Sequence, residues 1–229
     1  MDVDTVLFDL DGTLCTHTVS PDRQLAELFD RTGVEPFFDL SDVHRTAASI
    51  DAPSRASFQR QLYTRLTAEN EKPPGVADRL IADEPPYDPT NVMFRDGAEQ
   101  LLETVAGSHR VGLVTNGDER TQRQKLQQLD IVDLFDTTVF AGGDLPTKPA
   151  TVPFELALDG IDSAPNMTVH VGDSLYADVA GAHASGLESV WTPLAQSPPE
   201  SPGAYETTHG VRQPTAAVSE LTGVQSLLR

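Results

Sequence analysis

The chain has 229 residues, enough for one large α/β domain or for a core of about 150 residues carrying a smaller insert. Its 35 acidic and 16 basic residues give a formal net charge of −19, a balance that repels nucleic acid and anionic membranes. No stretch approaches the roughly 20 apolar residues that span a bilayer, and the acidic start Met1-Asp2-Val3-Asp4 is unlike a basic secretory leader; a soluble cytoplasmic protein is expected.

Cys15 is the only cysteine, which excludes an intramolecular disulfide and an all-cysteine zinc site. Three of the basic residues are lysines: Lys72, Lys125 and Lys148. An Asp-rich, Lys-poor surface of this kind predicts a halophilic protein, because in molar salt the Debye length falls to about 3 Å and self-repulsion is screened.

In chain order, residues 3–8 are a short apolar run rich in β-formers that empties into Asp9-Leu10-Asp11-Gly12-Thr13, where Gly12 supplies a turn. From about Ser20 to Glu84 the period becomes helical, as in Leu25, Leu28, Phe29 and again in Phe58, Leu62, Leu66, with Pro36, Pro53 and Pro73-Pro74 as breaks. This segment reads as a helical insert. Pro85-Pro86-Tyr87-Asp88-Pro89 marks a linker, so the expected division is a core of residues 1–16 and 90–229 and a helical insert of 17–89. Beyond it a helix starts at Ala98, and strand-like runs (110–115, 137–141, 168–171) alternate with helical ones (119–128, near 154–158, 176–184). That alternation predicts βαβ units on a parallel sheet. Ser189-Val190-Trp191 continues the strands, 193–202 is a proline-rich loop, and a short strand near 216–218 precedes a terminal helix.

In a parallel α/β sheet the residues just beyond the carboxyl ends of the strands converge. Here those places carry Asp9 and Asp11, then Thr115-Asn116-Gly117, then Lys148-Pro149, then Gly172-Asp173-Ser174 with Asp178 beyond. Four carboxylates in one crevice would repel one another unless a divalent cation and Lys148 compensated them. Mg²⁺ takes hard oxygen ligands, and Asp9 and Asp173 fit as its carboxylates. Asp9 can then serve as a nucleophile toward phosphorus, and Asp11 as the group that protonates the leaving oxygen and afterwards deprotonates water. Thr115, the backbone N–H groups near Asn116 and the Lys148 ammonium would bind the substrate phosphate and stabilise its charge.

In order and spacing these four segments resemble the four motifs of the haloacid dehalogenase superfamily over about residues 4–192. The resemblance implies a Rossmann-like parallel sheet with an inserted helical cap. It implies Asp9 as nucleophile, Asp11 as acid and base, the Asp11 backbone carbonyl and Asp173 as metal ligands with Asp9, and Asp178 just outside the metal shell. Leu113 to Leu126 further resembles the nucleotidase and acylneuraminate phosphatase branch. The expected activity is Mg²⁺-dependent hydrolysis of a small phosphorylated metabolite, of the nucleotide or sugar phosphate class, through an aspartyl-phosphate. The alternatives are a phosphomutase or dehalogenase of the same fold, or a phospho-accepting domain without turnover. Dehalogenases lack the second aspartate of the first motif, and Asp11 is present. A phospho-accepting domain carries no insert of this size.

Overall fold

The computed structural model describes residues 1–47, 49–50, 52, 54–194 and 213–228. It divides into two compact units, one of Met1–Thr16 with Pro89–Arg229 and one of His17–Asp88.

The first unit is built on a six-stranded sheet whose strands are β1 (Thr5–Phe8), β4 (Arg110–Asn116), β5 (Thr137–Ala141), β6 (Thr168–Gly172), β7 (Glu188–Trp191) and β8 (Ala216–Ala217). Their order across the sheet is β5-β4-β1-β6-β7-β8, and every adjacent pair is parallel. β1 is fully buried and lies between β4 and β6, which explains why its sequence is an unbroken apolar run. Alternation then divides its side chains between two faces. Val6 and Phe8 join a core with Leu101 and Leu102 of helix α5 (Ala98–Ala106) and Leu126 of α6 (Glu119–Gln128). Leu7 joins the opposite core with Phe154, Ala157 and Leu158 of α7 (Val152–Ile161) and Ala182 of α8 (Gly181–Ala184). The result is the expected α/β, Rossmann-like layering of helices on both faces of a parallel sheet.

Two details differ from the sequence reading. A two-stranded ribbon, β2 (Cys15–His17) with β3 (Val92–Phe94), stands where the chain leaves and re-enters this unit, and three-residue strands leave no readable period. The helix expected over 176–184 is a π-helical turn at Leu175–Ala180 followed by α8. The terminal helix is 3₁₀, Leu221–Ser226, and of the proline-rich loop expected at 193–202, residues 195–202 lie outside the described residues.

The second unit is helical: α1 (Pro21–Thr32), α2 (Leu40–Ala47), α3 (Arg55–Glu69) and α4 (Pro74–Asp83). Ser20 caps α1 by accepting from the Arg23 N–H, and Gly33 closes it at φ 61°, a conformation that glycine adopts without penalty. The unit has its own core of Leu28, Phe29, Phe38, Leu62, Leu66, Val76 and Leu80. No helix among the described residues is long and apolar enough to cross a membrane.

Candidate active site

The expected site residues gather at the carboxyl ends of β1, β4 and β6. Asp9 follows β1 directly, its N–H donating to the Val171 carbonyl of β6 at 3.0 Å. β4 runs through Thr115 and Asn116, which therefore end the strand and do not follow it. Asp173 follows β6, with its carbonyl held by the Trp191 indole N–H at 2.8 Å.

The centre of the site is Lys148. Its Nζ donates to Asp9 Oδ1 at 2.7 Å, to Asp178 Oδ1 at 2.6 Å and to the Val114 carbonyl at 2.7 Å. The Lys148 side chain is 1 % exposed, and those of its partners Asp9 and Asp178 are 9 % and 2 % exposed. Asn116 fixes the loop that carries it, since its side chain donates to the Lys148 carbonyl at 3.1 Å and accepts from the Lys148 N–H at 2.8 Å. The Asn116 side chain is thus engaged with the Lys148 backbone, while the sequence reading concerned the backbone N–H groups near Asn116.

Asp178 enters through the π-helical turn. Both the Asp178 and the Val179 N–H donate to the Ser174 carbonyl, at 2.9 and 3.1 Å, which widens the turn and brings the Asp178 side chain back so that Oδ2 accepts from the Ser174 N–H at 2.9 Å. The carboxylate lies over Gly172, where a β-carbon would stand 2.2 Å from the Asp178 carboxyl carbon. Gly12, at φ +83°, similarly leaves room for Asp173, whose Oδ2 would stand 2.4 Å from a β-carbon there. These two glycines bring the strand-end loops close enough for the carboxylates of Asp9, Asp173 and Asp178 to lie within 4.8 Å of one another.

The electrostatics follow from burial. Burial pushes the Asp9 carboxyl up to about 7, against the pull of Lys148, and the neighbouring Asp178 charge adds to the rise. Burial and then the Asp178 charge raise Asp173 to about 6. Burial also opposes the Asp178 charge, but Lys148 and His170, whose Nε2 lies 2.9 Å from Asp178 Oδ1, outweigh it and hold this carboxyl well below the usual range. Burial penalises the Lys148 ammonium as well, yet Asp9 and Asp178 keep its pKa above the ordinary value. One ammonium cannot compensate three close carboxylates: Asp178 takes the larger share of it, and Asp9 and Asp173 are left to gain from a cation. The donor set of hard carboxylate oxygens suits Mg²⁺.

Asp11 does not join that cluster. Its carboxylate turns to α6, where Lys125 Nζ reaches Oδ1 at 2.7 Å and Oδ2 at 2.6 Å and Gln122 Nε2 reaches Oδ2 at 2.8 Å. Of the four carboxylates expected to converge, those of Asp9, Asp173 and Asp178 lie within 4.8 Å of one another, and that of Asp11 is held by the second buried ammonium, Lys125. The same Gln122 nitrogen lies 2.7 Å from Thr115 Oγ1, so Thr115 and Asp11 are linked through one side chain. Sequence reasoning gave Gln122, Lys125 and His170 no role. Lys125 is, like Lys148, one of three lysines in the chain, and both are buried. Arg95 was also missed: its guanidinium donates to the carbonyls of Gly12, Thr192 and Pro193 and ties the first loop to the end of β7.

Comparison with known proteins agrees with this geometry. The family model for haloacid dehalogenase-like hydrolases matches residues 3–186. The chain is 30 % identical over 199 residues to a ribulose-1,5-bisphosphate 5-phosphatase of Halopiger xanaduensis, covering 81 % of this chain and 82 % of that protein. It is 32 % identical over 115 residues to the N-acylneuraminate-9-phosphatase of Mus musculus, covering 47 % of this chain and 46 % of that one. Among solved structures, the putative hydrolase YfnB of Bacillus subtilis, bound to magnesium, superposes with a TM-score of 0.71 at 19 % identity over 100 % of this chain and 99 % of that one. A parallel sheet, converging aspartates and a family match over most of its length together place this chain in the haloacid dehalogenase-like hydrolases, among relatives that are named phosphatases.

Proposed function

We propose that the protein is a Mg²⁺-dependent phosphatase of small phosphate monoesters, of the nucleotide or sugar phosphate class, that works through an aspartyl-phosphate on Asp9. The observation that carries this reading is the cluster of Asp9, Asp173 and Asp178 around the single ammonium of Lys148. A site with this excess of negative charge admits a phosphate dianion only with a cation present. Asp9 and Asp173 would hold the metal through their carboxylates, with the Asp11 carbonyl as the family resemblance implies. Bound Mg²⁺ would supply charge neutralisation at the phosphoryl oxygens.

The chain's own groups then divide the work. An Asp9 carboxylate oxygen attacks phosphorus while the bond to the ester oxygen breaks, and Asp11 gives that oxygen its proton. Water, deprotonated by Asp11, attacks the aspartyl-phosphate and releases inorganic phosphate, which restores the Asp9 carboxylate. Lys148 and the Thr115 hydroxyl stabilise the transferring oxygens. Asp178 acts at one remove by holding Lys148. The helical unit is read as a cap, and the acidic surface as suited to a small substrate in a cytoplasmic setting and not to nucleic acid or membrane.

A panel of nucleotides, sugar phosphates, phosphoglycolate and p-nitrophenyl phosphate, assayed with Mg²⁺ and with excess EDTA, tests the reading, and product analysis separates hydrolysis from phosphoryl migration. Full turnover in EDTA would remove the metal from the mechanism. The acid–base state of the site adds a pH signature. Asp9 and Asp173, raised to about 7 and about 6, carry protons in the metal-free protein at low pH. Their folded values lie above the unfolded ones, so the stability they contribute is complete below the unfolded pKa and is lost as pH rises through the folded values. A cation needs both groups ionised, so the rise in melting temperature on adding Mg²⁺ should be small at pH 5.5 and large at pH 8. A gain independent of pH would contradict these assignments.

The acidic, lysine-poor composition supports a second inference, adaptation to molar salt. The melting temperature should rise between dilute buffer and molar KCl, and an unchanged value would count against it.

A further inference from the structure

We propose that Gln122 and Lys125 of α6 are positioning residues that aim Asp11 at the leaving oxygen and fix the Thr115 hydroxyl as a donor. The proposal rests on the acid–base role given to Asp11 above.

The argument begins with where the two side chains are. Residues three apart on a helix share a face, and Gln122 and Lys125 turn theirs into the protein although α6 is otherwise strongly polar. The helix is anchored immediately after Thr115-Asn116-Gly117, because Asp118 caps it by accepting from the Thr121 N–H at 2.9 Å. The element that follows one catalytic segment therefore delivers both groups to another.

Asp11 needs such support. It lies on a tight turn beside Gly12 and its carboxylate is 42 % exposed, whereas the Lys125 side chain that grips it is only 5 % exposed. A half-exposed carboxylate with no partner would spread over several rotamers. Lys125 instead donates to both of its oxygens, at 2.7 and 2.6 Å, and Gln122 adds a third contact at 2.8 Å. Charge-assisted contacts of this length fix direction as well as place. A buried lysine in a chain with three lysines, set against a carboxylate more than 100 residues earlier, is poorly explained as a solvated helix charge.

Gln122 has a second effect. Its amide nitrogen carries two hydrogens and faces Asp11 Oδ2 at 2.8 Å, Thr115 Oγ1 at 2.7 Å and the Asn116 carbonyl at 3.2 Å. The two short contacts take those hydrogens. Thr115 Oγ1 then accepts from Gln122, which leaves the hydroxyl hydrogen to point elsewhere, and a phosphoryl oxygen needs just such a donor. Asp11 and Thr115 are thereby held at a fixed separation through one amide.

The test uses p-nitrophenyl phosphate, whose leaving oxygen needs little protonation, and glycerol 2-phosphate, whose alkoxide needs a proton. Misaiming Asp11 in Lys125→Met should slow the alkyl ester by about 10- to 100-fold in kcat, the range expected for a catalytic group displaced by about 1 Å, and slow formation of aspartyl-phosphate from the aryl ester far less. KM should stay nearly constant, and Lys125→Arg should restore part of the alkyl rate. If Lys125 acts through Asp11, adding Lys125→Met to Asp11→Asn should cost nothing further. Should Lys125→Met not fold, Gln122→Met removes an uncharged partner of the same carboxylate and carries the same comparison. An unchanged alkyl-to-aryl ratio in a folded variant, or a loss that multiplies that of Asp11→Asn, would overturn the positioning role. Asp11→Asn alone separates the two levels: if it does not alter the ratio, the acid–base reading falls and this proposal with it, whereas an altered ratio there and none in the α6 variants overturns this proposal only.

Discussion

Asp9→Asn should abolish turnover, and Asp11→Asn should not do so in the same way, although the two residues are separated by Leu10 alone. The first substitution removes the nucleophile and one of the proposed metal ligands, so no aspartyl-phosphate forms, and the loss should exceed about 10⁴, as in other enzymes stripped of a nucleophile. The second keeps the backbone carbonyl and removes only proton transfer, a contribution worth about 10²–10⁴ in rate. Its defect should follow the leaving group. With p-nitrophenyl phosphate the first step survives, while hydrolysis of the intermediate lacks its base. Rapid-mixing experiments should therefore show a burst of nitrophenol from Asp11→Asn and none from Asp9→Asn. Equal and complete loss in both variants, on aryl and alkyl esters and with metal bound, would refute the division of labour.

Lys148→Met should damage the fold as well as the chemistry. Methionine has a similar length and no charge, so the space is filled while the Asp9 and Asp178 carboxylates lose their shared ammonium. Removing one member of a buried charge pair typically costs about 3–5 kcal/mol, because the remaining charge stays desolvated. Here two remain. Urea titrations at pH 7.5 in EDTA should register that loss, and it should shrink at pH 5.5, where Asp9, already raised to about 7, binds a proton and relieves the repulsion. Mg²⁺ should restore part of the stability by replacing the missing positive charge. Turnover in Mg²⁺ should still fall by about 10²-fold, the cost of a misplaced reacting group, because the Asp9 carboxylate loses the ammonium that orients it. A variant as stable as the parent at both pH values would show that the ammonium does not hold the carboxylates together.

Much of this arrangement could be read from the sequence, for a local reason. The inner strands β1, β4 and β6 are buried on both faces, so they stand out as β-forming runs, and each candidate site residue follows or ends such a run: Asp9 after Thr5–Phe8, Thr115 near the end of β4, Asp173 after β6. The parts that escaped depend on distant partners. Glu119–Gln128 carries a single apolar residue, Leu126, and reads as a solvated helix. The partner that Lys125 and Gln122 share, Asp11, lies 114 and 111 positions earlier in the chain. His170 looks like a strand residue until Asp178, displaced by a π-helical turn that no local period announces, meets its ring. That α6 grips the Asp11 carboxylate is hidden for the same reason, since Gln122 and Lys125 lie more than 100 positions away.

The place of β1 in the sheet has a consequence for how the chain is made. The strand that lies at the centre of the sheet is synthesised first, yet its neighbours are Arg110–Asn116 and Thr168–Gly172. At roughly 5–20 residues per second, the apolar segment Thr5–Phe8 waits several seconds for the first partner and longer for the second. Folding of this unit is therefore governed by late, long-range pairing, which lowers its rate and leaves a strand with two open edges on the nascent chain. Asp9 stands at the end of that strand, so its contact with Lys148, which in turn holds Asp178, also awaits residues synthesised more than 100 positions later.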